Sequence, residues 1–117
     1  MTKILVLDDD RVILDLLRTV LSDAGYDAIL AATPDAIPAN ASPDLVITDL
    51  VPLKAYQRET ALKWVTTLRT RFAGAPVFVL TAHRAAAAED DMLGASAIIT
   101  KPFDVDALLA RIEQQLS

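Results

Sequence analysis

The sequence contains no cysteine, no long hydrophobic run and no basic amino-terminal segment followed by an apolar stretch. Without cysteine, disulfide bonds and thiolate metal sites are excluded, which is typical of a cytoplasmic protein. The longest apolar runs have the length of a strand rather than of a membrane span, and no secretion signal is visible. We therefore expect a cytoplasmic protein that makes no membrane contact.

Positively charged residues are fewer than negatively charged ones: the sequence has 11 lysine and arginine residues and 16 aspartate and glutamate residues, which gives a net charge of −5. Such a chain repels nucleic acid on average, so direct nucleic-acid binding is not expected. A hydrophobic content of 53% with 23% charged residues predicts a packed globule. With 117 residues, we expect one domain that spans 1–117.

Four apolar runs of strand length each lead directly into polar side chains. In chain order they are 4–7 before Asp8, Asp9 and Asp10; 45–48 before Asp49; 77–80 before Thr81; and 97–100 before Lys101. Buried parallel strands have such continuous apolar sequences, and ligands bind at the carboxyl ends of the strands in an open α/β sheet. If the strands lie side by side, carboxylates, a hydroxyl and an ammonium meet at one edge.

The segments between these runs predict helices. A weaker strand is predicted at 27–32, and helices are predicted after Asp10, for one or two turns from Pro34, and over about 58–72, 83–93 and 104–116. Five strands that alternate with five helices indicate an α/β fold with a doubly wound parallel sheet.

Two of these helices have a recognisable apolar side. The inward face of the first is predicted to consist of Val12, Ile13, Leu16, Leu17, Val20 and Leu21. In the 58–72 helix, Trp64 flanks the apolar stripe, and we expect its ring to pack against the core rather than to bind a ligand.

Carboxylates gathered at one sheet edge repel one another unless they share a cation, and oxygen ligands open to water suit Mg²⁺. We therefore interpret Asp8, Asp9 and Asp49 as candidate metal ligands. Lys101 and Thr81 beside a metal form a phosphoryl-binding arrangement, in which Asp49 is the candidate nucleophile. Each residue alone is more commonly a cap, a strand residue or a surface charge. Their shared position at strand ends favours the functional interpretation.

The chain resembles a receiver domain of the two-component response regulators, from Lys3 to Leu116. The matching segments are ILVLDD at 4–9, PDLVITD at 43–49, VLTA at 79–82, GA at 94–95 and TKPF at 100–103. The resemblance implies a flavodoxin-like, five-stranded parallel sheet in the order 2-1-3-4-5, with five helices.

The resemblance also implies a magnesium site. Asp9 and Asp49 would bind Mg²⁺ directly, together with the backbone carbonyl of Val51. Asp8 would act through a metal-bound water. Asp49 would then accept a phosphoryl group from a sensor histidine kinase or a histidine phosphotransfer protein.

Further roles follow from the same resemblance. Lys101 would pair with the phosphoryl oxygens, Thr81 would move inward to bond one of them, and the Lys101–Pro102 peptide would be cis. The added charge would alter binding to a downstream effector or output domain. The protein would be a signalling domain that catalyses its own phosphorylation and dephosphorylation, as a monomer or a phosphorylation-linked homodimer.

Three features depart from the family pattern. Proline follows the acceptor at the third position, as Pro52, and no glycine occurs between Asp49 and Gly74. Ile98 stands three residues before Lys101, where receivers usually have an aromatic switch residue, so a rotamer switch of the tyrosine kind is excluded. The helical segment around 34–40 is also short.

Two other interpretations fit part of the sequence. Asp8-Asp9-Asp10 after an apolar strand satisfies the aspartate-any-aspartate start of haloacid-dehalogenase-type phosphatases, although that class leaves Asp49 without a role. A receiver-like binding module that works without phosphorylation would tolerate the unusual loop and Ile98. The chain fits either a stand-alone receiver or the amino-terminal part of a longer regulator or hybrid kinase.

Overall fold

The computed structural model of the protein describes residues 1–50 and 57–117. Its strands are β1 (Lys3–Leu7), β2 (Asp27–Ala31), β3 (Leu45–Thr48), β4 (Val77–Thr81) and β5 (Ala97–Thr100). They form one five-stranded sheet in the order β2-β1-β3-β4-β5, and every pair is parallel. This topology confirms the expected flavodoxin-like fold.

The strand register brings the carboxyl ends of the strands to one edge. Leu7, the last residue of β1, lies opposite both Ala31 and Thr48, which are the last residues of β2 and β3. Thr81 ends β4 opposite Thr100, which ends β5. The residues that follow these strands therefore emerge side by side at that edge.

The α-helices are α1 (Arg11–Asp23), α2 (Arg58–Arg71), α3 (Arg84–Ala87) and α4 (Val105–Leu116). Aspartates cap two of them: Asp10 accepts from the backbone N–H of Val12, and Asp104 accepts from that of Ala107. Among the helices of residues 1–50 and 57–117, none combines the length and apolar character that a bilayer span requires.

Two apolar clusters pack on the two faces of the sheet. On one face, Val65 of α2 belongs to a cluster with Val46 of β3. On the other face, Leu17 of α1 and Leu108 of α4 belong to a cluster with Ile47 of β3. Both faces of the inner strands are thus covered, which explains why their sequences are continuously apolar.

The predicted count of five helices is wrong for the described part of the chain, which contains four. The second predicted helix is a single 3₁₀ turn at Pro34–Ala36, consistent with the expectation of one or two turns. The helix predicted over 83–93 is also shorter than expected, because α3 ends at Ala87 and a 3₁₀ turn follows at Met92–Gly94.

The residues after α3 explain why that helix stops. Glu89, Asp90 and Asp91 would place negative charges at the carboxyl end of a longer helix, where the helix dipole disfavours them. The Asp91 side chain instead accepts a hydrogen bond from the backbone N–H of Leu93. Met92 and Leu93 have φ angles of 51° and 56°, in the left-handed region. The alanine-rich sequence favours a helix, but the observed helix is only four residues long.

The inward face predicted for α1 was partly wrong. The buried residues of α1 are Leu14, Leu17 and Leu21, at spacings of three and four. Val12 is 73% exposed and Leu16 is 39% exposed. The predicted face covered more of the helix surface than the side that packs on the sheet. It included Val12 and omitted Leu14, which lies on the opposite side of the helix.

Arg58 connects the start of α2 with the segment after α3. Its guanidinium donates to the two carboxylate oxygens of Asp91, at 3.2 and 2.7 Å, and forms an ion pair with Glu89. Arg58 belongs to α2, whereas Glu89 and Asp91 lie in the segment 88–94 that follows α3. These ion pairs therefore connect that segment to α2.

Replacing Arg58 with glutamine is expected to weaken the acid dependence of the unfolding free energy. Its guanidinium, and secondarily the backbone N–H of Leu93, hold the pKa of Asp91 below its usual range. A carboxylate whose pKa is lowered by folding stabilises the fold above its unfolded pKa, and this contribution is lost as the pH falls through the folded pKa. The wild type should therefore lose more stability than the variant below about pH 4. Because both side chains are exposed, the difference should be small.

Urea unfolding at about pH 6 and about pH 3 measures this effect. Arg18→Gln is the matched control, because Arg18 pairs with Asp15 within α1 at 3.5 Å. Equal loss of stability on acidification in wild type and Arg58→Gln would contradict the prediction.

Candidate functional site

The site begins with three aspartates at the carboxyl ends of β1 and β3. Asp8 and Asp49 are 1% and 7% exposed, whereas Asp9 is exposed. Each of the three offers a carboxylate oxygen, and these oxygens lie within 4.8 Å of one another. The structure therefore brings together the three aspartates that the sequence predicted as neighbours.

Backbone hydrogen bonds at the strand ends hold these aspartates. The backbone N–H of Asp8 donates to Ala31 at 3.1 Å, and that of Asp49 donates to Leu7 at 2.9 Å. The Asp8 carboxylate accepts from the backbone N–H of Asp10 at 2.9 Å, just before α1 begins. Asp8 is thus fixed by both the sheet and the start of a helix.

Lys101 supplies positive charge to the same edge. Its Nζ donates to Oδ2 of Asp8 at 2.9 Å and lies 3.9 Å from Oδ2 of Asp49. The Lys101 backbone N–H donates to the Thr81 carbonyl at 2.8 Å, which ties it to the end of β4. The Lys101–Pro102 peptide is cis, as expected.

Thr81 is buried at the end of β4, with 2% of its surface exposed. Its hydroxyl oxygen accepts from the backbone N–H of His83 at 3.0 Å. Thr81 therefore links the edge of the sheet to the start of α3, since His83 is the N-cap position of that helix.

The charges in this cluster suit a divalent cation. Three ionised carboxylates and one ammonium leave an excess of two negative charges around Asp8, Asp9, Asp49 and Lys101. Two of those carboxylates are buried, so their mutual repulsion is poorly screened. Closely spaced carboxylate oxygens are donors that Mg²⁺ prefers. The residues present therefore fit a magnesium ion.

One contact of the site was not predicted. The Trp64 ring packs against the apolar cluster on the α2 face, as expected, but its Nε1–H also donates to Oγ1 of Thr48 at 3.1 Å. The Thr48 hydroxyl donates to the Asp49 carbonyl at 2.7 Å. Because side chains alternate along a strand, the sequence could have predicted that Thr48 lies on the same face of β3 as Val46, towards α2. Local periodicity does not specify which side chain of α2 it contacts.

Two sequence predictions fall on residues outside the described ones. Val51, the expected backbone ligand, and Pro52, the unusual residue after the acceptor, both lie between residues 50 and 57. Ile98 is described, and its half-buried side chain packs against the cluster on the α2 face.

The sequence matches the family profile of the response regulator receiver domain over residues 4–113. RpaA of Synechocystis sp., a DNA-binding dual master transcriptional regulator, is 35% identical over 123 residues, which cover 99% of this chain and 49% of RpaA. The transcriptional regulatory protein KdpE of Mycobacterium tuberculosis is 38% identical over 120 residues, with coverage of 96% and 50%. This chain thus spans about half the length of these curated relatives.

Solved structures show the same fold. TrrA of Thermotoga maritima, solved in complex with Mg²⁺-BeF, is 25% identical and superimposes with a TM-score of 0.78, covering 97% of this chain and 98% of TrrA. CheY4 of Vibrio cholerae, a chemotaxis protein, is 26% identical with a TM-score of 0.76 and the same coverage. The comparisons support a receiver over a dehalogenase-type phosphatase. The chain therefore belongs to the response regulator receiver domain family of two-component signalling proteins.

Proposed function

We propose that this chain accepts a phosphoryl group on Asp49 from a phosphohistidine of a sensor histidine kinase or a histidine phosphotransfer protein. One observation carries the proposal: the Asp49 carboxylate lies in an acidic cluster with Asp8 and Asp9, 3.9 Å from the Lys101 ammonium. A carboxylate nucleophile beside a metal site and a fixed cation is the arrangement that phosphoryl transfer requires.

Asp8, Asp9 and Asp49 are the residues proposed to hold Mg²⁺, with the carbonyl of Val51 as an additional ligand. When bound, Mg²⁺ offsets negative charge on the phosphoryl oxygens. The complex of the related TrrA with Mg²⁺-BeF supports this assignment. The buried Asp8 carboxylate accepts hydrogen bonds from the Lys101 ammonium and from the Asp10 backbone N–H, which hold it beside Asp9 and Asp49.

The reaction uses groups that the described part of the chain supplies. A carboxylate oxygen of Asp49 attacks the phosphorus of the phosphohistidine, a P–O bond forms, and the P–N bond breaks with its electron pair left on the imidazole. Lys101 pairs with the phosphoryl oxygens. Later attack of water on the phosphorus releases inorganic phosphate and restores the carboxylate. We therefore propose that the domain catalyses both its own phosphorylation and its dephosphorylation.

Thr81 is proposed to transmit the change. Its hydroxyl accepts from His83 at the start of α3, and it can donate its own proton to a phosphoryl oxygen. Movement of Thr81 would then shift the start of α3 and alter binding to an effector or output domain. Ile98 has no aromatic ring, so this coupling proceeds without an aromatic rotamer switch.

We also propose the context in which the domain acts. Residues 1–117 form one receiver domain in the cytoplasm, either alone or as part of a longer regulator. The transcriptional regulators RpaA and KdpE, of which this chain matches about half, support the second case. In either case the domain works as a monomer or as a phosphorylation-linked homodimer, and it contacts neither a membrane nor nucleic acid directly.

The test is the intact mass of the protein after incubation with Mg²⁺ and a small-molecule acyl phosphate. We expect a gain of one phosphoryl group that depends on Mg²⁺. A folded protein that gains no phosphoryl group and also fails to bind beryllofluoride would contradict the proposal, and it would favour a module that acts without phosphorylation.

Asp8→Asn is expected to slow phosphoryl gain without abolishing it. Asn keeps the shape of this buried side chain but removes one of the carboxylates near Asp49, so the apparent Mg²⁺ affinity should fall roughly 10-fold or more. If Asp8 were instead the nucleophile of a phosphatase, the substitution would abolish all chemistry. A mass time course at several Mg²⁺ concentrations separates the two cases, with circular dichroism to confirm folding.

A further inference from the structure

The Thr48 hydroxyl occupies a fully buried position directly before Asp49. Its exposed fraction is 0%, and it lies at the end of β3 on the face covered by α2. It donates to the Asp49 carbonyl at 2.7 Å and accepts from Nε1–H of Trp64 at 3.1 Å. The buried hydroxyl therefore acts both as a donor and as an acceptor, which compensates for its removal from water.

These bonds fix the backbone of Asp49 from two sides. Its N–H donates to the Leu7 carbonyl at 2.9 Å, and its C=O accepts from Thr48. The direction of the carbonyl relative to the side chain depends on the ψ angle, and the allowed side-chain rotamers depend on φ and ψ. Holding both backbone groups thus limits where the Asp49 carboxylate can point relative to Asp9 and Lys101.

Trp64 extends this support to a separate element. It lies in the second turn of α2, and its bond joins residues 16 apart in sequence, on either side of the segment that follows Asp49. Neighbouring residues Ala61 and Val65 are fully buried, so the helix that carries Trp64 is itself anchored in the core. The indole N–H is therefore held in place by packing rather than by the site.

We propose that Thr48 and Trp64 are positioning residues for Asp49: the hydrogen-bonded series Trp64–Thr48–Asp49 carbonyl orients the carboxylate for metal binding and phosphoryl transfer. This inference rests on the proposed function of Asp49. The polar contact of Trp64, which the sequence did not predict, thereby has a role, and α2 is the element that stabilises the end of β3. Their hydrogen bonds reach the Asp49 carbonyl and not its carboxylate, so their effect on the reacting atoms is indirect.

The experiment compares wild type with Thr48→Val, Thr48→Ser and Trp64→Phe. Valine keeps the branched shape but lacks the hydroxyl, serine restores the hydroxyl, and phenylalanine keeps an aromatic ring without the N–H. Thr67→Val is the matched control, because Thr67 is an exposed α2 residue whose hydroxyl donates to the Lys63 carbonyl within the same helix. Urea unfolding establishes that each protein is folded.

Two readouts are measured. Mg²⁺ affinity is obtained from the NMR shifts of the Asp9 and Asp10 backbone amides during titration with Mg²⁺ alone. The rate of phosphoryl gain from an acyl phosphate is obtained from intact mass. In addition, the single indole Nε1–H signal of Trp64 reports directly on its bond to Thr48, since the chain has one tryptophan.

We expect Mg²⁺ affinity and phosphorylation rate each to fall about fivefold in Thr48→Val and in Trp64→Phe, the effect of about one hydrogen bond. Thr48→Ser and Thr67→Val should stay within about twofold of wild type, because neither removes the Thr48 hydroxyl function. The indole signal should shift in Thr48→Val but not in Thr48→Ser. A purely structural role would lower stability without changing either readout in the folded protein.

Wild-type Mg²⁺ affinity and phosphorylation rate in folded Thr48→Val and Trp64→Phe would overturn the inference. If Mg²⁺ binds with the expected order of affinities but even wild type gains no phosphoryl group, the proposed function fails while the positioning of Asp49 for metal binding stands. If wild type does not bind Mg²⁺ at the aspartates, both proposals fail.

Discussion

Replacing Asp49 with asparagine is expected to abolish phosphoryl gain completely. An amide oxygen lacks the negative charge that makes a carboxylate nucleophilic, so no acyl phosphate can form at this position. The size and shape of the side chain are preserved, and the 2.9 Å bond between Lys101 and Asp8 joins two other residues. The fold should therefore survive. Intact mass after incubation with Mg²⁺ and an acyl phosphate measures the result.

Asp15→Asn is the matched control for this experiment. Asp15 is an exposed aspartate on α1, and its loss should leave phosphoryl gain unchanged. If Asp49→Asn still gained one phosphoryl group, the acceptor would have to be another residue, and peptide mapping would identify it. Asp8 and Asp9 would be the first candidates, because their carboxylates share the site.

Replacing Lys101 with methionine is expected to slow phosphoryl gain roughly 100-fold, the typical cost of removing one fixed group that stabilises developing charge. Methionine retains much of the apolar stem but has no ammonium. The substitution also leaves the buried carboxylates of Asp8 and Asp49 without the cation that lies 2.9 and 3.9 Å from them. We expect a loss of about 1–3 kcal/mol of unfolding free energy in the absence of Mg²⁺.

Magnesium should then stabilise Lys101→Met more than it stabilises the wild type, because a divalent cation would replace the missing positive charge. Thermal unfolding with and without Mg²⁺ tests this, and mass time courses test the rate. Lys63→Met, an exposed lysine on α2, is the control for loss of one positive charge. A Lys101→Met protein that is phosphorylated at the wild-type rate would refute the assignment of Lys101 to the phosphoryl oxygens.

The sheet and the gathered site could be predicted because they follow from short-range signals. Apolar runs buried on both faces identify parallel strands, and a residue such as Asp8 or Asp49 at the end of a run must then lie at the common edge. The strand order came from the resemblance to receivers, since the runs themselves do not specify which strands are neighbours. The structure confirms the strand order and the proximity of Asp8, Asp9 and Asp49.

The failures arose where tertiary contacts override local propensity. The alanine-rich 83–93 segment has high helix propensity, yet Asp91 caps Leu93 and pairs with Arg58, so the helix ends at Ala87. The predicted inward face of α1 is partly wrong because seven apolar residues compete for a stripe that buries three. The bond from Trp64 to Thr48 depends on how α2 packs on β3, which no local pattern specifies.

The contact between Lys101 and Asp8 joins residues 93 apart in sequence. During synthesis, the first three strands can pair with one another while the carboxyl-terminal part of the chain is still inside the ribosome, because β1 lies between β2 and β3. The ammonium that pairs with Asp8 arrives only after β5 has been made. Until β5 has been made, the growing chain therefore lacks the ammonium that lies 2.9 Å from Asp8 and 3.9 Å from Asp49 in the complete fold.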